Sequence, residues 1–240
     1  TISSSAGLNG GIDPEGDTDV EFNTELTFDF IADEGYHVDS IFVDDEYVGN
    51  ANSYIFENIY GDHSIFVTFT INIYMVTATA GANGTIEPSG EILLEHGESQ
   101  DVIITANEGY HIVDVLLDGE ISLGAITEYS FDEINSNHTL AATFAINQYI
   151  LEVAVIGNGS VEASPEQQTY SHGTDVELTA IPNAHWAFSG WSGDISDTEN
   201  PVSVLMESEK SIIATFYQLF PVFSSAKSVI NFDTVMLGAT

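Results

Sequence analysis

The feature that most limits what this chain can fold into is a stretch that occurs twice. Gly109-Tyr110-His111-Ile112-Val113-Asp114-Val115-Leu116-Leu117-Asp118-Gly119 repeats Gly35-Tyr36-His37-Val38-Asp39-Ser40-Ile41-Phe42-Val43-Asp44-Asp45. A third copy is found through other landmarks. Asn9-Gly10, Asn83-Gly84 and Asn158-Gly159 are evenly spaced, and each precedes an aliphatic residue and a proline. The step from Asn9 to Asn83 equals that from Gly35 to Gly109. The copies close alike, on Asp62-His63-Ser64-Ile65-Phe66-Val67-Thr68-Phe69, Asn137-His138-Thr139-Leu140-Ala141-Ala142-Thr143-Phe144 and Glu209-Lys210-Ser211-Ile212-Ile213-Ala214-Thr215-Phe216. A period longer than that of most solenoid repeats marks an array of small domains.

β-Branched and aliphatic residues between turn formers read as strands, and apolar residues alternate with polar ones at Val20, Phe22, Leu26, Phe28 and Phe30. The chain is expected to be all-β: three tandem modules at 1–72, 73–147 and 148–217, followed by a strand segment at 218–240. Connections are short, which favours antiparallel meanders, and the Asn-Gly pairs are expected to form hairpin turns with both residues at positive φ. The joints Asn72-Ile73 and Asn147-Gln148 leave no flexible linker, so the array is expected to be elongated and semi-rigid.

The third copy departs from the others. Where they have Gly-Tyr-His it has Asn183-Ala184-His185-Trp186-Ala187-Phe188-Ser189-Gly190-Trp191, which holds both tryptophans of the chain. Tyr36, Tyr110 and Trp186 are expected to anchor the three cores, while Trp186 and Trp191 are also the candidate platform for a glycan or protein ligand. The segment Ser228–Leu237 reads as strand with nothing after it to pair with. Val229, Ile230, Phe232 and Val235 are therefore candidates for assembly by strand addition to another molecule. Thr1 aligns with Met75, so the first copy is expected to lack the counterpart of Tyr74 and the whole to be a segment of a longer protein.

Charge narrows the partners. Thirty-eight Asp and Glu face two lysines and no arginine, a formal net charge of -36. Nucleic acid and anionic membranes are bound through Lys and Arg clusters, so neither is expected. Carboxylates at Asp13, Asp17 and Asp19, and at Asp44 and Asp45, are candidate calcium ligands, although they lack EF-hand spacing. A solvated acidic surface is the alternative. His37 with His63, and His111 with His138, recur but want a third metal ligand, so a structural role is expected. Without cysteine there is no disulfide or thiolate chemistry, and no nucleophile elbow, zinc-protease helix or phosphate loop is present.

The third copy, in Gly157-Asn158-Gly159-Ser160-Val161, Gly190-Trp191-Ser192-Gly193-Asp194 and Lys210–Phe216, resembles the divergent internalin-type B-repeat family; the first two resemble it in their Gly-Tyr-His stretch ending on Asp-Gly or Asp-Asp. That resemblance implies secreted or surface-anchored proteins carrying tandem β-grasp-like or β-sandwich modules in stalks and adhesive segments. Residues 221–238 are similar to the opening of Hydin-like, immunoglobulin-type domains. Neither family implies catalytic residues. The expectation is a non-catalytic stalk, filament or adhesin segment outside the cell, with protein partners or self-association; a glycan- or protein-binding module is the alternative.

Overall fold

The computed structural model describes residues 1–220, which are built of strands and turns without a helix. Contacts divide the chain into two units, Thr1–Ile146 and the part from Asn147 onward. The strand segment expected after residue 220, with Val229, Ile230, Phe232 and Val235, lies outside the described residues.

In the first copy the strands are β1 (Ile2–Ala6), β2 (Gly10–Asp13), β3 (Gly16–Thr18), β4 (Leu26–Ala32), β5 (Tyr36–Val43), β6 (Glu46–Gly49), β7 (Ser53–Phe56) and β8 (His63–Ile71). They form a five-stranded sheet β3-β1-β8-β5-β6 and a three-stranded sheet β2-β4-β7. Alternation decides which side chains meet. In β4, Phe28 and Phe30 point inward and Asp29 outward, and Ile2, Val38, Ile41, Ile65 and Val67 answer from the other sheet.

The second copy repeats this with β9 (Ile73–Ala80), β10 (Gly84–Glu87), β11 (Gly90–Glu95), β12 (Gln100–Ala106), β13 (Tyr110–Leu117), β14 (Ile121–Ser122), β15 (Glu128–Phe131) and β16 (His138–Ile146). Its sheets are β11-β9-β16-β13-β14 and β10-β12-β15, around Val76, Leu140, Val115, Val102 and Ile104. The third has β17 (Gln148–Tyr149), β18 (Leu151–Ile156), β19 (Gly159–Ser164), β20 (Tyr170–Ser171), β21 (Thr174–Pro182), β22 (Trp186–Gly193), β23 (Val202–Met206) and β24 (Lys210–Gln218). Sheets β18-β24-β22 and β19-β21-β23 enclose Leu178, Met206, Ile212 and Trp191, and β17 pairs with β20.

The meander expectation fails at the ends of each copy. The opening strand pairs with the closing one, and in parallel: β1 with β8, β9 with β16, β18 with β24. Short local connections select antiparallel neighbours, but the opening strand has apolar residues to bury and finds its partner at the far end of the copy.

The Asn-Gly reading is also corrected. Asn9 and Asn83 take positive φ, 71° and 72°, but the glycines after them do not. Those glycines are needed for space. A Cβ on Gly10 would lie 2.5 Å from the Phe69 ring, one on Gly84 2.2 Å from Phe144, and one on Gly159 2.6 Å from Phe216.

The landmark strand carries the same β-bulge in all three copies, between Val38 and Ser40, Ile112 and Asp114, and Phe188 and Gly190. The extra residue moves the next inward position from the second residue on to the third, so Val38 and Ile41, like Ile112 and Val115, are buried together. Tyr36 and Tyr110, expected as anchors, are only half-buried, and the anchor is the residue five positions later. In the third copy that residue is Trp191, 3% exposed. His185 there adopts φ 67°, standing where Gly35 and Gly109 have φ 80° and 78°.

Within the first unit a single residue, Asn72, separates β8 from β9, and its polar groups hold the joint. Its N–H donates to the Gly35 carbonyl at 2.8 Å, its carbonyl accepts from the His96 N–H at 2.9 Å, and its Oδ1 pairs with His37 Nδ1 at 2.7 Å. The His96 ring lies over Gly35, where a Cβ would come within 2.1 Å of it, and its buried Nδ1 has no hydrogen-bond partner among the described residues.

Candidate functional site

The recurring histidines and aspartates meet. After the landmark strand the chain turns sharply at Asp44-Asp45, with φ 52° and 66°, and at Asp118-Gly119, with φ 52° and 72°. Each turn is tied to the start of the closing strand. Asp44 Oδ2 contacts His63 Nδ1 at 2.7 Å and its Oδ1 accepts the Ser64 N–H at 2.8 Å; Asp118 does the same with His138 at 2.8 Å and the Thr139 N–H at 2.9 Å. The hydrogen bond from His63 holds the Asp44 carboxyl below its ordinary range, and for Asp118 the Thr139 N–H is the larger cause. In the third copy Asp194 keeps the backbone bond, accepting the Ser211 N–H at 2.6 Å, and Lys210 stands at the histidine position. The partnership had a signal in the sequence, since Asp44 precedes His63 by almost the same interval as Asp118 precedes His138.

One of these pairs extends into a line of three. Ser136 Oγ lies 3.1 Å from His138 Nε2, so Ser136, His138 and Asp118 are hydrogen-bonded in the order used by serine hydrolases. Nucleophilic catalysis further requires oxyanion donors and a site that excludes water. Here Ser136 is exposed, and the His138 and Asp118 side chains are 26% and 40% exposed. The first copy has Gly61 in place of the serine and keeps the His–Asp contact unchanged. What recurs is a clasp between turn and strand.

The acidic candidates are dispersed among local partners. Asp13 ends β2 opposite Asp29; Asp17 accepts from Ser3 Oγ at 2.6 Å and Asp19 from Thr1 Oγ1 at 2.8 Å; Asp44 and Asp45 sit in the turn after β5. Among the described residues, no three His, Asp or Glu side chains converge where a metal ion could sit.

The tryptophans are placed differently from each other. Trp191 belongs to the third core, and its Nε1 donates to the Glu199 carbonyl at 2.8 Å, which fastens the 194–200 segment across the indole. Trp186 packs on the same core and stays partly exposed. Beside Trp191 an open cleft of about 480 Å³ is lined by Gly190, Trp191, Ser192, Asp197, Thr198 and Thr215. Asp197 spends its Oδ1 on the Thr198 and Glu199 N–H groups, and its backbone bridges to Trp191.

Comparison with known proteins adds the following. The family model described as the divergent InlB B-repeat domain matches residues 74–148 and 149–219. No curated protein sequence matches the chain. Among solved structures, the Bacillus anthracis TIE protein is similar at 10% identity and a TM-score of 0.37, over 89% of this chain and 49% of that one, so the chain spans about half its length. The central fibronectin-III array of RIM-binding protein is similar at 10% identity and a TM-score of 0.16, over 78% of this chain and 82% of that one.

Proposed function

This chain belongs to the divergent InlB B-repeat family, and from that membership we infer a non-catalytic structural role, as tandem modules of a secreted or cell-surface protein that hold a more distal part away from its anchor. The observation that carries this reading is how the recurring residues are used. Gly10, Gly84 and Gly159 make room for an aromatic ring, and Asp44, Asp118 and Asp194 fasten a turn to the closing strand. What the copies share is spent on folding, where repeats with a common ligand would instead keep exposed, convergent groups.

Self-association through the segment that holds Val229, Ile230, Phe232 and Val235 is part of the proposal. A chain ending at Tyr217 should then stay monomeric under conditions where the full chain assembles.

The role is tested on residues 1–240. Activated esters should be hydrolysed no faster than by the Ser136→Ala variant, and tryptophan emission should not move across a glycan panel. Turnover that depends on Ser136, or saturable binding of any sugar, would overturn the structural reading.

A further inference from the structure

The pairing of first strand with last determines how a module meets a pull on its own chain. In the second copy the chain enters β9 at Ile73 and leaves β16 at Ile146, and the two strands are in parallel register from Val76 opposite His138 to Ala80 opposite Ala142. A tension that draws Ile73 and Ile146 apart acts along both strands in opposite directions. It must slide one strand past the other, so the inter-strand hydrogen bonds resist together. Pulling apart the two adjacent strand starts would break them one after another.

The contact is reinforced from within and at both ends. Val76 and Ala78 on β9, and Leu140 and Ala142 on β16, are at most 2% exposed, so sliding also drags four core side chains across the facing sheet. Asn137 Oδ1 accepts the Met75 N–H at 2.8 Å before the register begins, and the Gly81 N–H donates to the Ala142 carbonyl at 2.9 Å after it ends. The first copy has five registered pairs, Ile2 with His63 to Ala6 with Val67, and is closed by Gly7 N–H on the Val67 carbonyl at 2.8 Å. The third has six, Leu151 with Lys210 to Ile156 with Thr215, and Lys210 N–H donates to Ile150 at 3.0 Å.

We propose that each module is a load-bearing clamp, in which the parallel pair of opening and closing strands, β1/β8, β9/β16 and β18/β24, takes end-to-end tension in shear. The proposal rests on the structural role inferred above and adds what kind of structural element the chain is: one that transmits force without unfolding. Forced unfolding is governed by the barrier to leaving the native state, so the quantity at stake is a rate under load, separate from equilibrium stability.

Single-molecule pulling on the full chain tests it, and the absence of native cysteine gives unique attachment points. Handles on Thr1→Cys and Thr240→Cys load all three modules in shear. Handles on Thr1→Cys and Ser136→Cys keep the first module in shear but draw the second apart at the adjacent starts of β9 and β16. The five-pair register sets the expected ratio: the second module should rupture at a force about two to five times higher in the first geometry than in the second, with the first module unchanged as the internal reference. Equal rupture forces for the second module in the two geometries would overturn the clamp and leave the non-catalytic role standing. A ligand or an enzymatic turnover would overturn that role without altering the ratio.

Discussion

Two adjacent glycines in β2 should respond to the same substitution with opposite signs. An alanine Cβ at Gly10 would lie 2.5 Å from Phe69 Cζ, whereas one at Gly11 meets nothing within 4 Å. Carbon atoms in contact stand about 3.5 Å apart or more, so the ring must retreat by about 1 Å, and Phe69 packs against the first core. Such overpacking costs about 1–3 kcal/mol. Both alanines also restrict the unfolded chain, a gain of about 0.4–1 kcal/mol that is common to the two variants and cancels between them. Gly10→Ala should therefore be less stable than Gly11→Ala by about 1–3 kcal/mol, with Gly11→Ala at or above the parent. Hydrogen exchange followed by mass spectrometry on the full chain reads this locally, with the amides of β4 and β8 reporting and those of the third copy as reference. The expected gap in protection is about five- to 150-fold. In a Phe69→Ala background it should vanish. Equal losses for the two alanines, or a gap that survives removal of the ring, would refute the claim that Gly10 is there to make room.

Asp45→Gly should raise the midpoint of the first module's thermal unfolding, because Asp45 sits at φ 66° where the second copy has Gly119 at 72°, and relieving a non-glycine residue there is worth about 1 kcal/mol. His96→Phe keeps the ring over Gly35 and removes a buried nitrogen without a partner among the described residues, so exchange at the Asn72 joint should slow, by about 1 kcal/mol in protection. Asp44 and Asp118 have folded-state pKa values below the ordinary 3.8, so the stability they add is complete above that value and is lost as pH falls through the lowered ones. Asp44→Asn and Asp118→Asn should flatten the acid limb of the stability profile relative to the parent, both being measured against the same relief of charge repulsion. Trp191→Ala should destabilise the third copy by about 3–5 kcal/mol, read by denaturant unfolding, as expected for a core tryptophan.

Much of the fold can be read from the residues because alternation and period are local properties. Phe28 and Phe30, or Val102 and Ile104, announce a strand with one buried face, and the Asn-Gly landmarks count the copies. The parallel closure of each module cannot be read this way, since nothing near Val76 names His138 as its neighbour. The bulge is hidden for a related reason: an extra residue leaves the composition of a strand unchanged and only changes which side chain turns inward. This is why the aromatic at the strand entrance draws attention away from Ile41, Val115 and Trp191. The His–Asp clasp was half legible, as a recurrence of histidines whose partners lie one turn and one strand earlier in the chain.

The parallel closure also orders events in time. In the first copy Ile2 pairs with His63, so a chain made from its N-terminus carries an opening strand that has no neighbour on that side until β8 has been made. Contacts this distant in sequence make folding slow, and no copy can complete the sheet that holds its parallel pair before its own last strand has appeared. Each copy is thus a threadable chain until its final residues emerge, and then has every strand of its sheets to hand without waiting for the next.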